Sequence, residues 1–176
     1  MLGLKKHIVL VGLMGAGKTS AGRQLANLLK LPFIDTDLEV EYAAGLGISD
    51  IFEIYGEANF RELEEKVVKR VLKDPTISVI ATGGGAYMSE KTRKNIEKDG
   101  LSVWLKADLD MLMQRIVTTA HRPKLQNGDR REILRKMIEN RYPIYAEADL
   151  TVDVEKSSAT QMAQKISKAI KAELAG

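Results

Sequence analysis

Residues Gly12-Leu-Met-Gly-Ala-Gly-Lys-Thr19 match the pattern G-x-x-x-x-G-K-S/T, and no other feature restricts the fold of this chain as tightly. The segment follows Ile8 to Val11, a short β-branched apolar run. It precedes Ala21 to Leu31, where Leu25, Leu28 and Leu29 recur at helical spacing. Strand, glycine-rich loop and helix in that order make a phosphate cradle. Glycines let backbone N–H groups turn inward around phosphate oxygens where a Cβ would obstruct the approach, and the positive end of the next helix adds attraction. The nucleotide contacts are expected from Gly15, Ala16, Gly17, Lys18, Thr19 and Ser20, with Lys18 reaching the β and γ phosphates and the Thr19 hydroxyl joining the Mg²⁺ shell. The pattern arises by chance in about one chain in a hundred of this length, and the flanking strand and helix lower that further. The loop alone argues for ATP or GTP and is silent on the acceptor.

The alternation continues along the chain. Leu31 to Ile34 reads as a second strand ending at Asp35-Thr36-Asp37, and Leu38 to Ala44 and Ile48 to Leu72 read as helical, broken near Gly45 and Gly47 and at Gly56. Ile77 to Ala81 is a third strand that leaves through Thr82-Gly83-Gly84-Gly85. Ser89 to Asp99 is a helix with Gly100 as its C-cap, and Leu101 to Leu105 is the fourth strand. A helix from Asp108 to Thr118, a polar loop from Thr119 to Arg131, a helix from Glu132 to Ile144, a strand from Leu150 to Val154 and an amphipathic helix from Ala159 to Leu174 complete the chain. Strands that are continuous apolar runs, alternating with helices, predict an α/β fold with a five-stranded parallel sheet covered on both faces.

Composition sets the outer bounds. A chain of 176 residues fits one compact domain, and 44% hydrophobic with 29% charged residues excludes a disordered or fibrous class. The formal charge of +3 is spread without a dense basic tract, so no nucleic-acid partner is expected. The absence of cysteine removes disulfides and thiolate zinc sites, and His7 and His121 stand alone. The start of the chain makes a poor signal peptide, since Gly12, Gly15 and Lys18 interrupt its apolar run, and no segment is long enough to cross a bilayer. A cytoplasmic protein with no membrane partner, acting as a monomer, is the expectation.

Many phosphate-loop proteins hold magnesium with an Asp at a later strand end, but here the third strand runs into Ala81-Thr82-Gly83-Gly84-Gly85 and offers no carboxylate. The glycines permit close backbone approach to a ligand. The acidic pair at a strand end is Asp35 and Asp37, on the side where sheets of this kind bind ligands, and they are candidates for magnesium and for an acceptor hydroxyl.

Taken with Phe33-Ile-Asp-Thr-Asp37, Ile51-Phe52, Gly56-Glu57, Phe60-Arg61, Gly83-Gly84-Gly85, Arg122-Pro123 and Arg141-Tyr-Pro-Ile-Tyr145, the chain resembles the bacterial shikimate kinases over nearly its whole length. The resemblance implies a three-layer P-loop kinase fold like that of the nucleoside monophosphate kinases. It implies one domain over 1–176, an acceptor-binding helical segment at about 35–64 and a mobile lid at about 119–131. It further implies ATP-dependent phosphorylation of the 3-hydroxyl of shikimate, in aromatic amino-acid biosynthesis, with ATP and Mg²⁺. Asp37, Arg61, Gly83, Gly84, Gly85 and Arg141 would hold shikimate, the two arginines gripping its carboxylate as planar forks. Asp35 would join Thr19 in the magnesium shell, Arg122 would reach the phosphates from the lid, and Arg115 and the segment at Ser157 would lie beside the adenine. Phe52 and Phe60 would shape the acceptor pocket. Lys18, Asp37 and Arg122 would be the catalytic set. The chain departs from the family pattern at Lys124, after Pro123, and across Val154-Glu-Lys-Ser-Ser158.

Local alternatives remain open at this point. Arg61 within Arg61-Glu-Leu-Glu-Glu65 can form a solvated helical ion pair, Asp35 can cap the next helix, Arg141 can pair with Glu139 or Asp149, and Arg115 can face water. Met111 and Met113 read as core packing. A gluconate or nucleoside monophosphate kinase on the same scaffold is the nearest rival, and a nucleotide-binding switch without catalysis is a rival of another class.

Overall fold

The structure, a computed structural model, describes residues 3–117 and 129–176. Five parallel strands, β1 (His7–Val11), β2 (Phe33–Asp35), β3 (Val79–Ala81), β4 (Gly100–Lys106) and β5 (Leu150–Asp153), form one sheet in the order β2-β3-β1-β4-β5. Between them run α1 (Lys18–Leu29), α2 (Thr36–Ala44), α3 (Ile48–Leu72), α4 (Glu90–Asp99), α5 (Leu109–Val117) and α6 (Arg130–Tyr145), and α7 (Ala159–Ala175) closes the fold. A 3₁₀ turn over Ala86–Met88 follows β3.

β1 is the axis of the sheet, with Leu10 in register with Ala81 on one side and Val103 on the other. Side chains alternate between faces, yet Ile8, Val9, Leu10 and Val11 are all 0% exposed, so helices cover both faces here. His7 is the polar exception, and both its ring nitrogens are used: Nδ1 accepts from the Ser78 N–H at 3.1 Å and Nε2 lies 3.1 Å from the Asp74 carbonyl. The lone histidine is therefore structural. Across the sheet, α1 packs on α7, α3 on α2 and α4, and α5 on α6.

The interruption expected at Gly56 is a kink inside α3, with Gly56 at φ 79° and ψ 169° between two helical halves. Several boundaries differ from expectation, β2 and β3 among them by starting two residues later, and two of the shifts have a plain cause. Gly100 does cap α4, but in an extended conformation that already belongs to β4; the glycine is needed because a Cβ there would stand 2.7 Å from Val9 Cγ2. The loop expected to run through Arg131 ends earlier, because the Asp129 side chain accepts from the Arg131 N–H at 3.0 Å and starts α6 at Arg130. The rest of the expected lid, residues 119–128, lies outside the described residues. Among the described residues no helix is long and apolar enough to cross a membrane.

Candidate active site

The site lies beyond the carboxyl ends of β1, β2 and β3. After β1 the chain turns at Gly12, whose φ of 144° and 2.8 Å separation between a built Cβ and the Leu105 carbonyl exclude any side chain. Lys18, only 7% exposed, donates from Nζ to the Gly12 and Leu13 carbonyls at 2.7 and 2.8 Å. Gly17 precedes α1 with φ 91° and no capping side chain, so no side chain stands over the N–H groups of the helix end. They open on a cleft of about 440 Å³ lined by Gly15, Ala16, Gly17, Lys18, Thr19 and Ser20. Arg115 and Ser157 border the same cleft. Arg115 does not face water: Nη1 donates to the Gly15 carbonyl at 3.3 Å and sits 2.6 Å from where a Cβ on Gly17 would be.

The two strand-end aspartates divide the work. Asp35 caps α2, its Oδ1 accepting from the Asp37 N–H at 2.9 Å, and its Oδ2 accepts from the Thr19 hydroxyl at 3.0 Å. One carboxylate thus fixes the turn and meets the loop hydroxyl. Among the described residues no three His, Cys, Asp or Glu side chains converge as a metal cage. A hydroxyl and a carboxylate at the mouth of a phosphate cleft suit Mg²⁺, which takes hard oxygens, few of them from protein. Asp37 borders both the nucleotide cleft and a second cavity of about 440 Å³.

That second cavity has Phe52 and Phe60 in its wall, with ring centroids 4.6 Å apart, and Arg61, Glu64, Arg141 and the glycine triplet around it. The glycines make room first for the site's own parts. A Cβ on Gly83 would lie 2.6 Å from Asp37 Oδ1 and 2.8 Å from Glu64 Oε2, one on Gly84 would lie 3.1 Å from the Met14 backbone nitrogen, and one on Gly85 would strike the Arg61 guanidinium. The Gly83 N–H donates to the buried Thr36 hydroxyl at 3.2 Å, and the Gly84 carbonyl accepts from Arg141 Nη1 at 3.0 Å and from the Tyr145 hydroxyl. Arg141 therefore pairs with the triplet and not with Glu139 or Asp149. Glu139 is held by Arg135 and Asp149 by Ser102. Arg61 does form helical ion pairs, at 2.7 Å with Glu64 and 3.5 Å with Glu57, and it lines the cavity as well.

Three residues of this site go beyond the sequence-based candidates: Thr36, Glu64 and Tyr145. Glu64 is 3% exposed, and burial pushes its carboxyl above the usual range, with Asp37 adding to the rise and Arg61 opposing it. A signal for it was present, because Glu64 falls on the buried stripe of Phe60, Val67, Val68 and Val71. Tyr145 is pushed up to about 12 by burial, so its hydroxyl keeps its proton and donates. Arg122 lies outside the described residues.

Comparison with known proteins supplies relatives of this fold and site. A family model described as shikimate kinase matches residues 14–171. A shikimate kinase of Paramagnetospirillum magneticum is 56% identical over 148 residues, 84% of this chain and 75% of that one, and one of Bartonella quintana is 47% identical over 94% of this chain and 79% of its own length. The structure of an Acinetobacter baumannii shikimate kinase in complex with shikimate superposes with a TM-score of 0.91 at 37% identity, covering 96% of this chain and 94% of the other.

Proposed function

We propose that this chain, a member of the shikimate kinase family, uses ATP to phosphorylate the 3-hydroxyl of shikimate, with Asp37, Arg61, Arg141 and the Gly83–Gly85 backbone holding the acceptor. The observation that carries these roles is the convergence of Arg61 from α3 and Arg141 from α6 on the glycine triplet, with Asp37 between that cavity and the phosphate cleft. Two guanidinium forks on one side suit a carboxylate, and a carboxylate on the other suits hydroxyls. The product, shikimate 3-phosphate, serves aromatic amino-acid biosynthesis, which fits a cytoplasmic enzyme.

Phosphoryl transfer needs positioning and charge neutralisation more than covalent help. Lys18 exchanges the Gly12 and Leu13 carbonyls for phosphate oxygens when ATP enters, and the backbone N–H groups at the start of α1 take the remaining phosphate charge. Thr19 and Asp35 would hold Mg²⁺, which would offset phosphate charge when bound. Asp37 orients the attacking hydroxyl and takes its proton. Arg115 and the chain at Ser157 flank the adenine, and Arg122, on the segment between α5 and α6, closes on the phosphates as a lid.

The test is ADP release with a panel of hydroxylated acceptors: shikimate, gluconate and nucleoside monophosphates. Shikimate alone is expected to stimulate turnover. Stimulation only by another acceptor, or by none, removes the assignment. Asp37→Asn is expected to lower kcat by about 10²-fold or more with the KM for ATP nearly unchanged, and an unaltered kcat would take Asp37 out of the mechanism.

A further inference from the structure

One buried polar atom in the acceptor cavity has no part in the reaction as described. Glu64 Oε1 takes the 2.7 Å bond from Arg61 Nη1, while Oε2 has no hydrogen-bond partner among the described residues. Oε2 lies against Gly83, where it and Asp37 Oδ1 stand 2.8 and 2.6 Å from the place a Cβ would occupy. A buried carboxylate facing a second, half-buried one across the Gly83 Cβ position is costly when both are charged, and a buried oxygen without a donor is costly by itself. A single proton between them relieves both costs.

Resting on the function proposed above, we infer that Glu64 works as a carboxylic acid, donating from Oε2 to Asp37 Oδ1 and so fixing the Asp37 carboxylate toward the acceptor hydroxyl. The groups that face Glu64 are consistent with this. Its own helix brings Arg61, with Glu57 and Glu65 on the rim of the adjoining chamber; α2 brings Asp37 and, in the same cavity wall, Glu41, and α6 brings Arg141 and Tyr145. Burial and Asp37 raise the Glu64 carboxyl, Arg61 and Arg141 lower it, and the net direction is upward.

The proton also sets the charge of the cavity. With Glu64 neutral, Arg61 and Arg141 balance Asp37 and Glu41, the other charged side chains of the cavity wall. With Glu64 ionised the wall carries a net negative charge, which opposes an acceptor with a carboxylate. Acceptor binding is therefore coupled to protonation, and affinity falls as pH rises through the raised Glu64 value. Glu64 touches Arg61 and lies against Asp37 without reaching the transferred group, so it is a positioning residue.

The experiment compares shikimate-dependent ADP release for the wild type and Glu64→Gln from about pH 5 to about pH 9, with the KM for ATP as control. The amide supplies an N–H donor in place of the acid's O–H and keeps the C=O acceptor, without a charge. The wild-type KM for shikimate is expected to rise by about tenfold or more with pH, and that of Glu64→Gln to stay within about threefold of the wild type's low-pH value throughout. A wild-type KM that does not rise with pH overturns the inference. So does a Glu64→Gln KM raised more than about tenfold at every pH while its thermal midpoint and KM for ATP match the wild type. Proton uptake on shikimate binding, measured by calorimetry on the wild type in two buffers of different ionisation enthalpy, decides the matter if the variant does not fold: uptake supports a protonated Glu64, and its absence across the range overturns it. Loss of all shikimate-dependent turnover in the wild type would instead overturn the function itself.

Discussion

At the scale of single residues, the same change, glycine to alanine, is expected to have two different outcomes in this site. At Gly85 the built Cβ lies 2.6 Å from Arg61 Cζ, the far end of a flexible side chain that can move aside. Gly85→Ala should therefore fold with nearly the wild-type thermal midpoint, while the displaced guanidinium raises the KM for shikimate by about 10- to 100-fold and leaves that for ATP unchanged. At Gly12 the obstacle is the Leu105 backbone carbonyl at 2.8 Å, and the φ of 144° adds strain. Gly12→Ala should show as lost stability, about 1–3 kcal/mol by urea unfolding. The sequence made these glycines visible and left their separate reasons hidden. Gly12 belongs to a pattern whose chemistry is local, so it could be read directly. Gly83 and Gly85 face Asp37, Glu64 and Arg61 from other parts of the chain, and only the fold brings those side chains to them.

At the scale of elements, termini and interruptions were legible where a residue type forces the backbone, and less so where tertiary packing decides. Gly56 was readable as a break, and its φ of 79° with ψ of 169° belongs to a region that only glycine enters easily. It turns the second half of α3 so that Phe60, Arg61 and Glu64 reach the acceptor cavity. Gly56→Ala should lower stability by about 1–3 kcal/mol, seen as a lower thermal midpoint. A solvated ion pair was an open alternative for the acceptor-binding arginine of α3 because i,i+3 and i,i+4 charges usually are solvated; burial of its glutamate partner depends on α2 packing on α3 and on the glycine triplet, which no local pattern encodes. At the start of α2, Asp35 both caps the helix and meets Thr19. Asn caps nearly as well as Asp, so Asp35→Asn should keep stability within about 0.5 kcal/mol. Its loss of charge should raise the Mg²⁺ concentration for half-maximal activity by about tenfold, and an unchanged Mg²⁺ titration would remove Asp35 from the metal shell.

At the scale of the whole molecule, the buried titratable groups tie the acceptor cavity to global stability. β4, the glycine triplet and α6 meet in an aromatic cluster: Trp104 lies 4.9 Å from the Tyr142 ring and 5.9 Å from Tyr145, and Tyr145 bonds the Gly84 carbonyl. Glu64 adds a buried carboxyl beside it. The Glu64 carboxyl is raised above its unfolded value of 4.5, so its contribution to stability is complete below that value and is lost as pH climbs through the raised one. Tyr142 and Tyr145 are pushed from 10 to about 12 by burial, so the folded state resists their ionisation and their contribution is complete below 10 and lost as pH approaches 12. Stability should therefore decline toward alkaline pH in two separate windows. Urea midpoints measured from about pH 5 to about pH 11 should show both. Glu64→Gln, which cannot ionise, should remove the lower window and leave the upper one intact. Tyr145→Phe should do the reverse, weakening the alkaline loss after costing about 1 kcal/mol at neutral pH for the bond to Gly84. If Glu64→Gln and the wild type keep the same midpoint difference at every pH, Glu64 is not titrating in the fold, and the coupling between the acceptor cavity and its proton goes with it.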